Sequence, residues 1–298
     1  MYKIVFSNKG FSLERLRLLC DVARTGGIRA AVGDDPVRQS LASRQLKELN
    51  EYANTELTRR VGRGLEMTDA GKEFVEIGSE FFSKMETFLK HVRNLPVDFN
   101  LGVGDSIFQW QILPKMKTFE THFRNIRLIS HSYSAPDIIK AVEARRLDAG
   151  IVRRTAVTDT ELIVKHIGEI RYRLFIPRPF IKSLRHNQSP SISEIPFCTL
   201  TGDGEYAKNM TRFLAAFNGT SALNCSSMTQ MFAAVQSGQY AAILPANAKS
   251  NLIEPATRVF TLPELAPFTR QISLIFKRDL KDSPEKNSIL DFLSTCID

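Results

Sequence analysis

Residues 34–52 read DDPVRQSLASRQLKELNEY, and the architecture of the first third of the chain turns on this stretch. Asp35 before Pro36 is a helix start with a mechanism: the carboxylate accepts free backbone N–H groups, and proline suits the first helical position because its absent donor would go unpaired there. From Pro36 onward, Ala42, Leu46, Leu49 and Ala53 recur on one face at helical spacing, while Ser40, Ser43, Arg44 and Lys47 fall nearly opposite. One side is built to pack. The other carries two short hydroxyls beside an arginine and a lysine, where a merely solvated helix usually carries Glu–Lys pairs. Short hydroxyls permit close approach to a surface, and arginine can grip a phosphate or the edge of a guanine with two donors. Two readings stand: an ordinary solvated face, or a face that reads duplex DNA.

The flanking sequence favours the second. Leu16, Leu19, Cys20 and Ala23 recur at helical spacing from Leu13 to Ala23, and Gly26-Gly27 ends the run; a short helix fits Ile28 to Val32, followed by a turn at GDD. After Leu57, the segment TRRVGRGLEMTDAG predicts a basic hairpin in which Gly62 and Gly64 permit a tight turn between Arg60 and Arg63, with Thr68 capping the helix that follows. Three helices and a basic hairpin make a winged helix-turn-helix, its third helix suited to the major groove.

The stretch from Ala31 to Gly71 resembles the DNA-binding region of LysR-type transcriptional regulators. Gln39, Ser43, Arg44, Gln45, Leu46 and Leu49 match that family's recognition-helix pattern, and Arg60, Gly62, Arg63, Gly64, Thr68 and Gly71 match its wing and exit. There are departures: Gly27 replaces a capping serine, Asp35 a core leucine, Ser40 a proline, Asn50 a glutamate and Thr58 a phenylalanine. The DDP sequence therefore predicts a differently built turn. The resemblance implies groove-facing contacts from Gln39, Ser40, Ser43 and Arg44, phosphate contacts from Lys47, Arg60 and Arg63, and double-stranded DNA as the partner.

From Asp69 to about Arg93, Phe74, Ile77, Phe81, Met85, Phe88 and Val92 recur in steps of three and four, one apolar stripe along a helix too long for the small head to cover. Its expected partner is the same helix of a second subunit, in a homodimer or homotetramer. NLPVDFN then breaks the helix, and strand-like runs alternate with helical ones to the end of the chain, which predicts a parallel, doubly wound sheet and a second lobe. The expected fold is an all-α winged helix-turn-helix head with a long linker helix, followed by an α/β two-lobed domain like a periplasmic binding protein. The expected divisions are 1–68 for the head, 69–95 for the linker and 96–298 for the lobes, lobe 1 at about 96–165 and 268–298 and lobe 2 at about 166–267.

Such lobes close on a small ligand by a hinge, and this part resembles the LysR-type effector-binding domain through RRLDAGIV and VQSGQYAAILP, although Tyr240 stands where glycine is common. Ligands gather where strands end and helices begin. The candidates are Ser106 beside Asp105, Ser132 and Ser134, Thr201 and Gly202, and Ser226 and Ser227, each serine being equally an ordinary helix cap.

Composition sets the outer bounds. A hydrophobic fraction of 43% over 298 residues supports a real core, and no stretch has the length and apolarity of a membrane span or a secretory signal, so a cytoplasmic, non-membrane protein is expected. The net charge of +8 is diffuse, with 16 Lys+Arg against 13 Asp+Glu through residue 95 and 24 against 19 beyond it, so position rather than charge must identify a nucleic-acid surface. Four dispersed cysteines without a CxxC pair and five histidines (His91, His122, His131, His166, His186) without ligand spacing predict no metal and no cofactor. No catalytic constellation occurs, so no enzyme is expected; Thr211-Arg212-Phe213 resembles a motif of the two-lobed prephenate dehydratases but stands alone in a helical pattern. One further alternative keeps DNA binding and replaces the ligand by oxidation of Cys198 and Cys225.

Overall fold

The computed structural model describes residues 2–6, 9–61, 64–93, 95–157, 162–181, 192–202, 204–252 and 257–297. The chain divides into two compact units, Met1–Val97 and Asp98–Asp298.

In the first unit, helix α1 spans Leu13–Thr25, capped by the Ser12 hydroxyl and closed by Gly26 in the left-handed region (φ 82°), where glycine carries no steric penalty. Helix α2 is Ile28–Val32 and α3 is Pro36–Ala53. The expected start of α3 is realised: the Asp35 carboxylate accepts the Val37 N–H at 2.9 Å. Strands β1 (Thr58–Val61) and β2 (Gly64–Met67) pair antiparallel with Val61 opposite Gly64, leaving a two-residue connection at 62–63 outside the described residues. Helix α4, Asp69–Val92, begins where Thr68 accepts the Gly71 N–H at 3.0 Å and donates to the Glu56 carbonyl at 2.6 Å. Leu18, Leu19, Val22, Ala42, Leu46, Leu49 and Leu57 form one core that ties α1, α3 and the hairpin together. Two glycines let α4 approach it. A Cβ on Gly71 would stand 1.9 Å from the Leu57 carbonyl oxygen, and one on Gly78 would stand 2.8–2.9 Å from Leu16 and Cys20 of α1.

The second unit runs β3 (Val97–Val103), α5 (Asp105–Ile107), a π turn over Phe108–Ile112, α6 (Met116–His122), β4 (Ile126–His131), α7 (Ala135–Glu143), β5 (Ala149–Arg153), β6 (Ile163–Ile170), β7 (Tyr172–Pro177), β8 (Pro196–Leu200), α8 (Glu205–Ala216), β9 (Thr220–Cys225), α9 (Met228–Gln236), β10 (Ala242–Pro245), β11 (Thr257–Phe260), β12 (Arg270–Phe276) and α10 (Pro284–Ser294). Lobe 1 is a five-stranded sheet in the order β4-β3-β5-β12-β6; lobe 2 has the three-stranded sheet β10-β7-β11 and the pair β8-β9.

Alternation along the strands of lobe 1 serves two cores. Ile272, Leu274 and Phe276 of β12 face the main cluster with α10, while Ile275 faces a second cluster with Ile138 and Val142 of α7, so the sheet is covered on both sides. The sheet differs from the parallel one expected. β3 and β5 are parallel, but β12 runs antiparallel to both β5 and β6 because it is the chain returning from lobe 2. Strand β6 also extends lobe 1 past the expected boundary at 165, to Ile170.

Candidate nucleic-acid interface and effector site

The packed side of α3 is Ala42, Leu46 and Leu49, each at most 4% exposed. On the other side Ser40, Ser43, Arg44 and Lys47 are all exposed. Arg44 keeps 78% of its side chain in solvent, and its Nε donates to Glu48 Oε1 at 3.0 Å. The other Glu48 oxygen takes a guanidinium nitrogen of Arg15, which also donates to the Gly10 carbonyl at 2.7 Å. Glu48 therefore anchors Arg44 by one edge. An exposed pair of this kind is worth at most about 1 kcal/mol, so the guanidinium can exchange it for a stronger acceptor.

Gln39 is placed differently. It lies about 140° around the helix from Arg44, is half-buried, and its side-chain amide donates to the Gly33 carbonyl at 2.8 Å. It braces the turn between α2 and α3 instead of sharing the Arg44 flank. On the hairpin, Arg60 is exposed and Arg59 pairs with Glu66 at 3.4 Å; Arg63 and Gly62 lie outside the described residues.

The stripe on α4 separates into two parts. Phe74 packs against the head's own core, so its expected place in a subunit contact goes to an intramolecular one. Ile77 (54%), Phe81, Met85, Phe88 and Val92 (62%) stand exposed along the remaining length, joined by Leu89, which the sequence reading did not include.

Two of the five serines expected at the effector site, Ser134 and Ser227, act as helix caps. In lobe 1 the Ser132 hydroxyl donates to Asp105 Oδ1, bringing the ends of β4 and β3 together, and Ser134 accepts the Asp137 N–H at the start of α7. In lobe 2 Ser227 accepts the Gln230 N–H at 3.2 Å, while the backbone and hydroxyl of Ser226 donate to the Gln230 side-chain oxygen at 2.9 and 2.8 Å, a reciprocal arrangement that occupies the N-terminus of α9. Helix α5, which carries Ser106, packs against α9, and Asn247 donates to Gln111 across the lobes at 2.9 Å. Thr201 and Gly202 line a separate groove of about 410 Å³ on lobe 2, shared with Thr199, Met210, Ser221 and Asn224. The groove and its Thr199–Asn224 hydrogen bond of 2.6 Å depend on one extra residue in β9 opposite the Phe197/Cys198 step, which no periodicity in the sequence announces.

The thiols are poorly placed for oxidation chemistry. Burial and the neighbouring Cys225 push the Cys198 thiol up to about 12, and burial raises Cys225 and Cys20 as well. A nucleophilic thiolate needs the opposite shift. Thr211-Arg212-Phe213 sits within α8, with Thr211 bonded to its own helix at the Ala207 carbonyl and Phe213 in the core. Among the described residues no three His, Cys, Asp or Glu side chains converge as metal ligands, and no helix is long and apolar enough to cross a membrane.

Residues 13–72 match the bacterial regulatory helix-turn-helix model of the lysR family, and residues 98–296 match the LysR substrate binding domain. The chain belongs to the LysR family. It is a LysR-type transcriptional regulator, a class of DNA-binding regulators and not of enzymes. Over 283 residues it is 23% identical to a probable nitrogen assimilation transcriptional activator of Synechococcus elongatus, covering 91% of each chain. Another relative, the HTH-type regulator BudR of Klebsiella aerogenes, is 32% identical over 94 residues, 31% of this chain and 66% of BudR. The fold is shared with a full-length OxyR variant from Pseudomonas aeruginosa (TM-score 0.63, 14% identity, 95% of this chain and 93% of that one) and with CbnR, a LysR family transcriptional regulator (TM-score 0.51, 16% identity, 94% and 99%).

Proposed function

We propose that this LysR-family regulator docks α3 in the major groove of duplex DNA, with Arg44 reading a base edge, Ser40 and Ser43 allowing close approach, and Lys47, Arg60 and Arg63 holding phosphates. The observation that carries the reading is the division of α3: a face sealed into the head core, and a cationic, hydroxyl-bearing face left open. Gln39 supports the turn that aims the helix. The exposed part of the α4 stripe pairs two chains into a homodimer, or two dimers into a tetramer, so that two heads meet two half-sites. A small molecule binding between the lobes shifts the placement of the heads through its different affinity for two assembly states. The protein works in the cytoplasm, where the DNA is.

Support comes also from a neighbour of the same fold, full-length CbnR complexed with its target DNA, with TM-score 0.50 and 16% identity. The direct test is selection of sites by the full-length protein from a pool of random duplexes, followed by affinity measurement at physiological salt. Enrichment of a paired half-site, bound far more tightly than random duplex, is the expected result; no preference among duplexes would end the proposal.

A further inference from the structure

Two apolar side chains stand on the open face of α3 where polar residues would be expected. Val37 is 75% exposed and Leu41 is 54% exposed. Single exposed aliphatics are ordinary on any surface. These two are one helical turn apart, and they lie together on one side of the arginine assigned to base reading: at 3.6 residues per turn, Val37 lies about 20° and Leu41 about 60° around the axis from Arg44 in the same direction, whereas Ala42 and Leu46 lie about 160° away. Ser40 falls between them and Lys47, within about 40° of Arg44.

The placement follows from how the helix begins. Because Asp35 caps and Pro36 fills the first helical position, α3 has a full turn ahead of Ser40, and that turn presents Val37 outward. The acids at this end are neutralised: Asp34 is bonded to Arg29, and Asp35 lies 3.7 Å from Arg38. The leading turn is thus apolar without facing phosphates with bare carboxylates. Two turns past Arg44 direction, the exposed Glu51 marks where the same face ceases to suit a polyanion.

We infer that Val37 and Leu41 are specificity-determining residues that pack against thymine C5-methyl groups beside the base contacted by Arg44, toward the N-terminal end of α3. The thymine methyl is the one apolar feature of the major-groove edge, and it is what an aliphatic side chain can distinguish there. The inference rests on the docking proposed for α3, and it adds two positions of readout to it.

The test uses the full-length protein and the best duplex from random-pool selection. Each thymine of that duplex is replaced singly by deoxyuridine, which removes the methyl and keeps every hydrogen-bonding group. Wild-type protein is expected to lose about fourfold in affinity at the thymines it touches, the worth of one buried methyl. Val37→Ala and Leu41→Ala are each expected to bind the thymine and uracil forms of one such position alike while keeping the discrimination at the other. Val37→Thr, which preserves shape and one γ-methyl, is expected to keep part of the discrimination that Val37→Ala loses, and guards against a packing artefact. A selected site in which every uracil substitution is silent, or in which discrimination survives both alanine variants, overturns the inference and leaves the docking of α3 standing. Failure to select any site overturns the docking itself.

Discussion

At the scale of single residues, the same surface holds groups with different expected signatures. Arg44→Ala should weaken binding to the selected site by about 1–3 kcal/mol and relax preference at one base pair, whereas Lys47→Ala should weaken all sequences alike and flatten the salt dependence by about one unit, both readable in fluorescence-anisotropy titrations across salt. Cys198 gives a prediction in pH. Its thiol ionises near 9 in the unfolded chain and at about 12 in the native one, so between those values unfolding releases a proton and stability falls as pH rises. Urea midpoints measured at pH 8.5 and 10.5 should drop more for the wild type than for Cys198→Ala; equal drops would refute the buried-thiol assignment. Arg44 was legible in the sequence because it lies opposite a run of core residues. Val37 and Leu41 were not, since aliphatics in an amphipathic pattern are read as packing residues until their exposure is seen.

At the scale of elements, α4 depends on close approach. Gly71→Ala puts a methyl against the Leu57 carbonyl where the backbone cannot yield cheaply, and a loss of about 1–3 kcal/mol is expected in thermal or urea unfolding. Replacing Phe81 and Phe88 by aspartate should leave far-UV circular dichroism intact while sedimentation shows monomers, because covering each such side chain is worth about 1.5–3 kcal/mol; a double variant that stays dimeric would place the subunit contact elsewhere. The elements with strong punctuation were readable in advance: α1 up to Gly26, α3 from Asp35, the hairpin around 62–63, α4 from Thr68. Strand β6 was not. Its alternation is broken where Ile167 is the extra residue between Gly168, opposite Ile272, and His166, opposite Ser273, and Lys165, His166 and Glu169 make it look like a loop. For the effector site the limit is chemical: a serine that caps a helix and a serine that greets a ligand have the same letter in the same place, and only the hydrogen bonds of Ser134, Ser226 and Ser227 tell which role each is filling.

At the scale of the whole molecule, Trp110, the chain's only tryptophan, sits at the junction of the lobes, edge-on to Phe232 of α9 at 5.6 Å. A small molecule that moves the lobes should therefore change tryptophan emission at the concentration that changes DNA binding, and a ligand that alters DNA binding with no spectral change would place its site away from this junction. The two-lobed plan was visible from the alternation of strands and helices; the direction of β12 was not, because an antiparallel return leaves the same apolar run in the sequence as a parallel strand would. That direction bears on how the protein comes into being. Since β12 lies between β5 and β6, the edge strand β6 is cut off from the rest of the lobe 1 sheet until lobe 2 has left the ribosome. The head can mature early, lobe 2 can condense from one unbroken segment, and lobe 1 is completed last, with its two parts clasping the finished lobe between them.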